Sequence, residues 1–84
     1  MIDLTPFLDS LNAKVSGWID SSYGNDHCES VSFEYSCDTR LRIWIDDEGY
    51  TVVFEDDDQG DYQVMLSTDN WITVLLFVDS EHIN

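Results

Sequence analysis

Two short runs of carboxylates give this 84-residue chain its clearest chemical potential. The first run covers residues 46–48, and the second covers residues 55–58 and is followed by Asp61. Grouped carboxylates can ligate a divalent cation, exchange protons in a cleft, or meet the lysines and arginines of another molecule. The neighbouring residues decide which of these three uses fits the chain.

The second run has the order of a calcium loop, with several carboxylates followed by Gly60. In such a loop counted from Glu55, the twelfth residue is a glutamate that closes the site with both oxygens. Here that position is Leu66. We therefore expect no resident metal, although adventitious binding of divalent ions by residues 55–61 is left open.

Histidine and cysteine offer a second kind of metal chemistry, but their spacing matches no usual zinc pattern. The candidates are His27, Cys28, Cys37 and His82. An extended segment would hold the two cysteines roughly 30 Å apart, well beyond disulfide reach, so free thiols are expected. We expect neither zinc nor any other cofactor.

Catalytic constellations are equally hard to find. His27 lies in a polar loop and His82 near the C-terminus, so no Ser/His/Asp or Cys/His set is indicated, and no glycine-rich phosphate loop is present. Paired carboxylates need a cleft that separates their pKa values, which exposed turns do not provide. The sequence does not predict an enzyme.

The total charge points to the third use. Eighteen acidic residues oppose three basic ones, which gives a formal net charge of -15, and residues 43–84 contain eleven acids and no base. Such a surface repels nucleic acids and anionic membranes and attracts basic proteins. The residues expected to contact a basic partner are Asp46, Asp47, Glu48, Glu55, Asp56, Asp57, Asp58, Asp61 and, as an exposed aromatic, Trp44.

Periodicity predicts the elements that would position these residues. Thr5 as an N-cap before Pro6, with helical apolar spacing after it, predicts a helix over 5–19. Alternation with a period of two predicts four strands, at 30–36, 40–45, 50–55 and 62–67, with Tyr62, Val64 and Leu66 on one face of the last. Residues 69–81 have helical spacing after capping residues, but their β-branched content would also suit a central strand.

Strand register follows from requiring paired residues to share a face. Placing Ser36 opposite Arg40 sets Glu34 opposite Arg42, and placing Ile45 opposite Tyr50 sets Arg40 opposite Glu55. Two of the three cations would then have carboxylate partners on the outer face of the sheet, where Trp44 also lies.

These elements predict an α+β two-layer sandwich: an antiparallel sheet of about four strands, covered on one face by an N-terminal helix and, with the favoured helical interpretation of residues 69–81, by a C-terminal helix. Apolar residues make up 43% of the chain and aromatics 13%, enough for one core, so residues 1–84 are expected to form a single acidic domain. In a meander the two acidic turns lie at opposite ends of the sheet. No secretion signal or bilayer-spanning run is recognised, so a cytoplasmic location is expected.

In its small size, extreme acidity, aromatic-supported α+β core and lack of a catalytic set, the chain resembles the acidic DNA-mimic and anti-CRISPR inhibitors that bacteriophages make against host nucleases. The resemblance covers composition and element order over the whole chain and rests on no diagnostic motif. It implies an inhibitor that mimics the phosphate backbone and blocks a basic groove of a nucleic-acid-binding protein or nuclease complex. That mechanism involves no direct contact with nucleic acid or membrane.

Two other functions fit the same charge. An immunity or antitoxin-like protein would plug the basic active site of a toxin, and an acidic protein adapted to high salt would bind nothing. The high aromatic content argues mildly against the second of these. The oligomeric state and the identity of a target do not follow from the sequence.

Overall fold

The computed structural model describes residues 3–21 and 29–80, and within these residues it contains two helices and a five-stranded sheet. The elements in chain order are α1 (Thr5–Lys14), β1 (Ile19–Asp20), β2 (Glu29–Glu34), β3 (Thr39–Asp46), β4 (Gly49–Asp56), β5 (Asp61–Thr68) and α2 (Trp71–Ser80). All strand pairs are antiparallel, and the spatial order is the chain order. The predicted α+β class is confirmed, with one more strand than expected.

Helix α1 begins at Thr5, which is therefore its first residue and not its N-cap. Leu4 occupies the N-cap position and offers no side-chain hydrogen bond, and the Thr5 N–H instead donates to Asp3 Oδ1 at 3.0 Å. Pro6 lies in the first turn, where the N–H it lacks would have had no helical partner. The predicted start of the helix is confirmed, but the predicted cap is wrong.

The end of α1 differs more from expectation. The helix stops at Lys14 because Val15 is extended (φ -141°, ψ 124°) and Gly17 has a φ of 123°, which L side chains rarely adopt. Asn12 Oδ1 accepts hydrogen bonds from the N–H groups of Gly17 and Trp18, at 3.0 and 2.9 Å, and so fixes the turn out of the helix. The predicted helix over 5–19 is therefore wrong beyond residue 14.

The chain after this turn forms β1, a strand that the sequence analysis did not predict. Ile19 pairs with Ser32, and Asp20 pairs with Val31. Two residues are too few to show an alternating pattern, and Ile19 fell inside the apolar spacing assigned to the helix. β1 nevertheless brings Ser21 beside β2, where the Ser21 N–H donates to the Ser30 carbonyl at 2.9 Å.

Helix α2 confirms the favoured of the two predictions for the last segment. Asn70 starts it, since its Oδ1 accepts a hydrogen bond from the Ile72 N–H at 2.9 Å. Val74 and Val78 are buried against the sheet, while Ile72 and Leu76 face outward. The one-sided burial explains why helical spacing outweighed β-branched content. Among the described residues, no helix is long and apolar enough to cross a membrane.

Register is confirmed between β3 and β4 and wrong between β2 and β3. Ile45 pairs with Tyr50 and Arg40 pairs with Glu55, as predicted. Arg40 lies opposite Glu34, however, and not opposite Ser36. A shift of two residues keeps every side chain on its face, so a test based on shared faces cannot detect it. The turn comes one residue earlier than predicted, because the Tyr35 N–H already donates to the Thr39 carbonyl at 2.9 Å.

Strand β5 contains an irregularity that reverses the face of its side chains. Leu66 pairs with Val52 and Val64 pairs with Val53, which leaves Met65 as an extra residue, as in a β-bulge. Val64 and, further along, Tyr62 therefore lie on the outer face, and Leu66 lies on the inner face. The prediction that these three apolar residues share a face is wrong.

The core lies between the inner face of the sheet and the two helices. Its fully or nearly buried members come from both layers: Leu4, Leu11, Trp18, Val31, Phe33, Leu41, Ile43, Ile45, Val52, Val74 and Val78. Phe7 joins the layers through edge-on contacts with Tyr50 and Trp71, at centroid distances of 5.9 and 4.7 Å. Edge-on aromatic pairs of this kind stabilise a core beyond their buried area.

Candidate functional site

The two acidic runs form turns at opposite ends of the sheet. We define the first acidic turn as residues 46–48, between β3 and β4, and the second acidic turn as residues 56–61, between β4 and β5. The eight residues of β4 separate them by roughly 25 Å at about 3.3 Å per residue. The two turns therefore cannot act on one small ligand.

The first acidic turn is held together by its own first carboxylate. Asp46 Oδ1 accepts hydrogen bonds from the N–H groups of Glu48 and Gly49, at 2.8 and 2.9 Å. This leaves Asp47 and Glu48 exposed at the tip. Asp69, at the end of β5, lines the same recess of about 330 Å³ as Asp46 and Glu48, so this end of the sheet collects a fourth carboxylate.

The second acidic turn is also stabilised by hydrogen bonds to its first aspartate. Asp56 Oδ1 accepts hydrogen bonds from the N–H groups of Asp58 and Gln59, at 3.1 and 3.2 Å. The neighbouring connection is tied to it, because the Asp57 N–H donates to the Asp38 carbonyl at 2.8 Å. Asp58 and Asp61 remain exposed. In both turns the first carboxylate supports the backbone and later ones face the solvent.

Arg40 binds the carboxylates where β4 meets the second acidic turn. Its Nη1 donates to Glu55 Oε1 at 3.0 Å, and its Nη2 donates to Asp57 Oδ2 at 2.6 Å. The hydrogen bond from Arg40 lowers the pKa of Asp57 below its ordinary value, and the two carboxylates raise the pKa of Arg40. Asp57, predicted to contact a partner, is thus held by a side chain of its own sheet.

Arg42 is the buried centre of the outer face, with only 5% of its surface exposed. Its Nε donates to both oxygens of Glu55, at 3.2 and 3.1 Å. Its Nη1 reaches across β2 to Ser30 Oγ at 3.1 Å and to Ser21 Oγ and the Ser21 carbonyl, both at 3.3 Å. A single guanidinium on β3 therefore links β2, β4 and the residue that follows β1.

Glu55 accepts from both arginines and has only 15% of its side chain exposed. It was predicted to contact a partner, but its position makes it a support of the sheet. The predicted pairing of Glu34 with Arg42 is wrong, because Arg42 lies opposite Ser32 and takes Glu55 as its carboxylate. The sequence signal for this role was the correctly predicted register of Arg40 against Glu55.

Trp44 lies on the outer face as expected, but it is half-buried and not fully exposed. The guanidinium carbon of Arg42 lies 5.3 Å from the centroid of its ring, within the range of a cation–π contact. Each of these two side chains thereby restricts the conformations open to the other. Part of the Trp44 surface remains available to another molecule.

A depression of about 640 Å³ lies on the outer face above this arginine pair. Five carboxylates line it: Glu34, Glu55, Asp56, Asp57 and Asp61. Ile19 and Tyr62 form an apolar part of its rim, and both are more than half exposed. Sequence reasoning missed these two residues as surface groups, because β1 was not predicted and the bulge in β5 leaves no pattern in a single sequence.

Metal binding is the other chemistry that the carboxylates, histidines and cysteines of this chain could supply. Among residues 3–21 and 29–80, no three carboxylate, histidine or cysteine side chains are grouped so that they could hold a metal ion. Cys37 is an exposed free thiol. The other residues considered for zinc, His27, Cys28 and His82, lie outside the described residues. The arrangement that the structure does offer is a display of anions.

Comparison with protein-family models, with curated proteins and with solved structures finds no match for this chain.

Proposed function

We propose that this chain is an inhibitor of the anti-CRISPR type, which binds the basic groove of a nucleic-acid-binding protein or nuclease complex in place of the phosphate backbone. One observation carries the proposal. Exposed carboxylates lie at both ends of the sheet, and none of the described lysines or arginines pairs with Asp47, Glu48, Asp58 or Asp61.

The arrangement of the cations supports the same proposal. Arg40 and Arg42 are both engaged by Glu55, and Arg40 also by Asp57, so their charges are compensated inside the sheet. The chain thus uses two of its three bases to hold the scaffold. The turns remain anionic, even though neutral serine or asparagine would form them without charge repulsion.

The structure also divides the predicted contact residues into two groups. Asp46 and Asp56 accept backbone hydrogen bonds within their turns, and Glu55 and Asp57 bind arginines. The partner contacts we propose are the other four carboxylates, Asp47, Glu48, Asp58 and Asp61, together with the accessible part of Trp44.

Binding of this kind is electrostatic competition. The carboxylates attract lysines and arginines that otherwise hold phosphates, and association releases counterions from both surfaces. Association is fast at low ionic strength and slows as salt screens the charges. We propose that this takes place in the cytoplasm, where nucleic-acid-handling complexes act.

The test combines capture with competition. The chain is immobilised and exposed to guide-loaded RNA-guided nucleases and to a lysate, captured proteins are eluted with a salt gradient and identified by mass spectrometry, and labelled duplex DNA is then added to each captured complex. We expect a nucleic-acid-binding protein that loses its DNA when the chain is present. Capture of proteins that all keep full DNA binding would overturn the proposal.

Matched variants distinguish the effect of the acidic turns on association from the effect of net charge. Asp58→Asn with Asp61→Asn removes two charges from the second acidic turn, whereas Asp9→Asn with Asp79→Asn removes two exposed charges from the helices. The first pair should slow association with the captured protein more strongly than the second. Equal association rates for the two double variants would contradict the proposed contact residues.

A further inference from the structure

Strand β5 forms an open edge of the sheet. The spatial order of the strands ends at β5, so this eight-residue strand, Asp61–Thr68, pairs with β4 on one side and with no described strand on the other. The opposite edge is β1, which is only two residues long. An open strand presents unpaired N–H and C=O groups that can hydrogen-bond to another extended chain.

This edge lacks most of the features by which proteins protect such strands. From Tyr62 to Thr68 it contains no charged residue and no proline, and its bulge at Met65 interrupts pairing at one point only. Tyr62 and Val64 are 60% and 55% exposed on the outer face. Apolar side chains and free backbone groups therefore lie side by side on the same strand.

Charge decides what kind of chain fits this edge. Asp61 begins β5 and Asp69 follows its last residue, so each end of the apolar stretch is flanked by a carboxylate. Each acidic turn adds a further exposed anion beside it, Asp58 at one end and Glu48 at the other. A second copy of the chain would bring the same acids, and a net charge of -15, against these positions.

We infer that the β5 edge receives an extended segment of the partner protein, apolar in its middle and carrying lysine or arginine at both ends. Main-chain hydrogen bonds extend the sheet by one strand, Tyr62 and Val64 contact the apolar middle, and the acidic ends bind the basic residues. The inference deepens the proposed function and rests on it in one respect, that the partner is basic.

A synthetic peptide serves as the probe, since the target itself is unidentified. It has about ten residues, matching the length of β5, with alternating valine and threonine in the middle and two lysines at each end. One control peptide carries N-methyl groups on alternate backbone amides, and another has glutamate in place of lysine. Amide hydrogen exchange of the full chain is followed by NMR with and without each peptide.

We expect the lysine peptide to protect alternate amides of β5 from exchange, and both control peptides to leave them unprotected. Matched variants then test the side chains. Tyr62→Lys with Val64→Lys and Ile72→Lys with Leu76→Lys add the same charge at residues of similar exposure, 60% and 55% against 61% and 63%. The β5 pair should weaken peptide binding at least about tenfold, and the helix pair much less.

The inference would be overturned by no peptide binding at millimolar concentration, by binding without protection of β5, or by equal losses in the two double variants. Self-association that protects β5 without peptide would overturn it too, because the occupant would be a second copy. Binding confined to the acidic turns leaves the proposed function intact. A β5-protected peptide complex from a chain that displaces no DNA would refute the proposed function alone.

Discussion

Arg42 Nε donates to both carboxylate oxygens of Glu55, at 3.2 and 3.1 Å, on the outer face of the sheet. The pair lies on adjacent strands, β3 and β4, and both side chains are largely buried. A planar guanidinium that holds a carboxylate through one edge still has donors for other acceptors, which here are Ser21 and Ser30. This ion pair and its hydrogen bonds thereby connect β2, β3, β4 and the residue that follows β1.

Removing one member of this pair should destabilise the fold strongly. Arg42→Met leaves the largely buried carboxylate of Glu55 with Arg40 alone, and we expect a loss of about 3 kcal/mol in the free energy of unfolding. Urea unfolding measures it. The double variant Arg42→Met with Glu55→Leu should recover most of the loss, because no buried charge is left uncompensated. A single variant as stable as the parent chain would refute this role.

Asp57 should make stability depend on pH through its contact with Arg40. Its folded pKa lies below the ordinary value of 3.8, so the contact stabilises the fold fully above about pH 4 and is lost as the pH falls through the lower, folded value. Asp57→Asn should therefore destabilise the chain at neutral pH, and the difference from the parent chain should shrink as the pH falls below about 4.

Asp58→Asn is the control for Asp57→Asn, since the Asp58 carboxylate accepts a side-chain hydrogen bond from Gln59 and, among the described residues, forms no ion pair. Unfolding in urea at several pH values compares the two variants with the parent chain. A stability difference for Asp57→Asn that persists unchanged into acid would show that charge on this carboxylate is not its source.

Gly49 and Gly60 should differ in their tolerance of alanine. A Cβ on Gly49, where φ is 154°, would lie 2.7 Å from the Thr68 carbonyl oxygen, so Gly49→Ala should cost about 2 kcal/mol. Gly60 has a φ of 70° and nothing within 4 Å of such a Cβ, so only the backbone strain of about 1 kcal/mol remains. Thermal unfolding of both variants measures the order, and the reverse order would contradict the turn geometry.

Leu11 and Leu76 provide a test of the helix orientations. Leu11 on α1 is fully buried, and Leu11→Ala should cost about 3 kcal/mol through lost burial and the cavity that remains. Leu76 on α2 is 63% exposed, so Leu76→Ala should change stability by less than about 0.5 kcal/mol. Similar losses at the two positions would mean that α2 packs on a different face.

Salt should raise the stability of the chain. A net charge of -15 opposes compaction, and dissolved ions screen that repulsion. The urea midpoint should therefore rise with sodium chloride, and Asp47→Asn should stabilise the fold in dilute buffer but not in concentrated salt. If Asp47→Asn instead destabilised the chain, the first acidic turn would have a structural role that its exposure does not suggest.

The parts of the fold that could be predicted from sequence are those in which the apolar and polar residues alternate over several periods. The alternation on β3 and β4 specified which faces are buried and paired Arg40 with Glu55 correctly. β1 could not be predicted, because two residues contain no period and Trp18 and Ile19 matched helical spacing. The bulge at Met65 was missed for a related reason: it is defined by how two strands pair, which local sequence does not encode.

The position of the acidic turns in the fold could be predicted from the sequence, but the separate roles of their carboxylates could not. Topology alone placed the acidic turns at opposite ends of the sheet. Adjacent aspartates look alike in sequence, however, and only the structure distinguishes Asp57, bound to Arg40, from the exposed Asp58. Which carboxylate is compensated depends on where the arginine side chains reach, and that is a matter of three-dimensional packing.

The position of the acidic turns at opposite ends of β4 also affects how the molecule would approach a partner. Their contributions to the molecular dipole moment oppose each other, whereas their contributions to the monopole add. The field at long range would then draw a cationic body inward with little torque to align it. Orientation would have to be selected after encounter, by short-range groups such as Tyr62 and Val64, so alignment and capture would be separate kinetic steps.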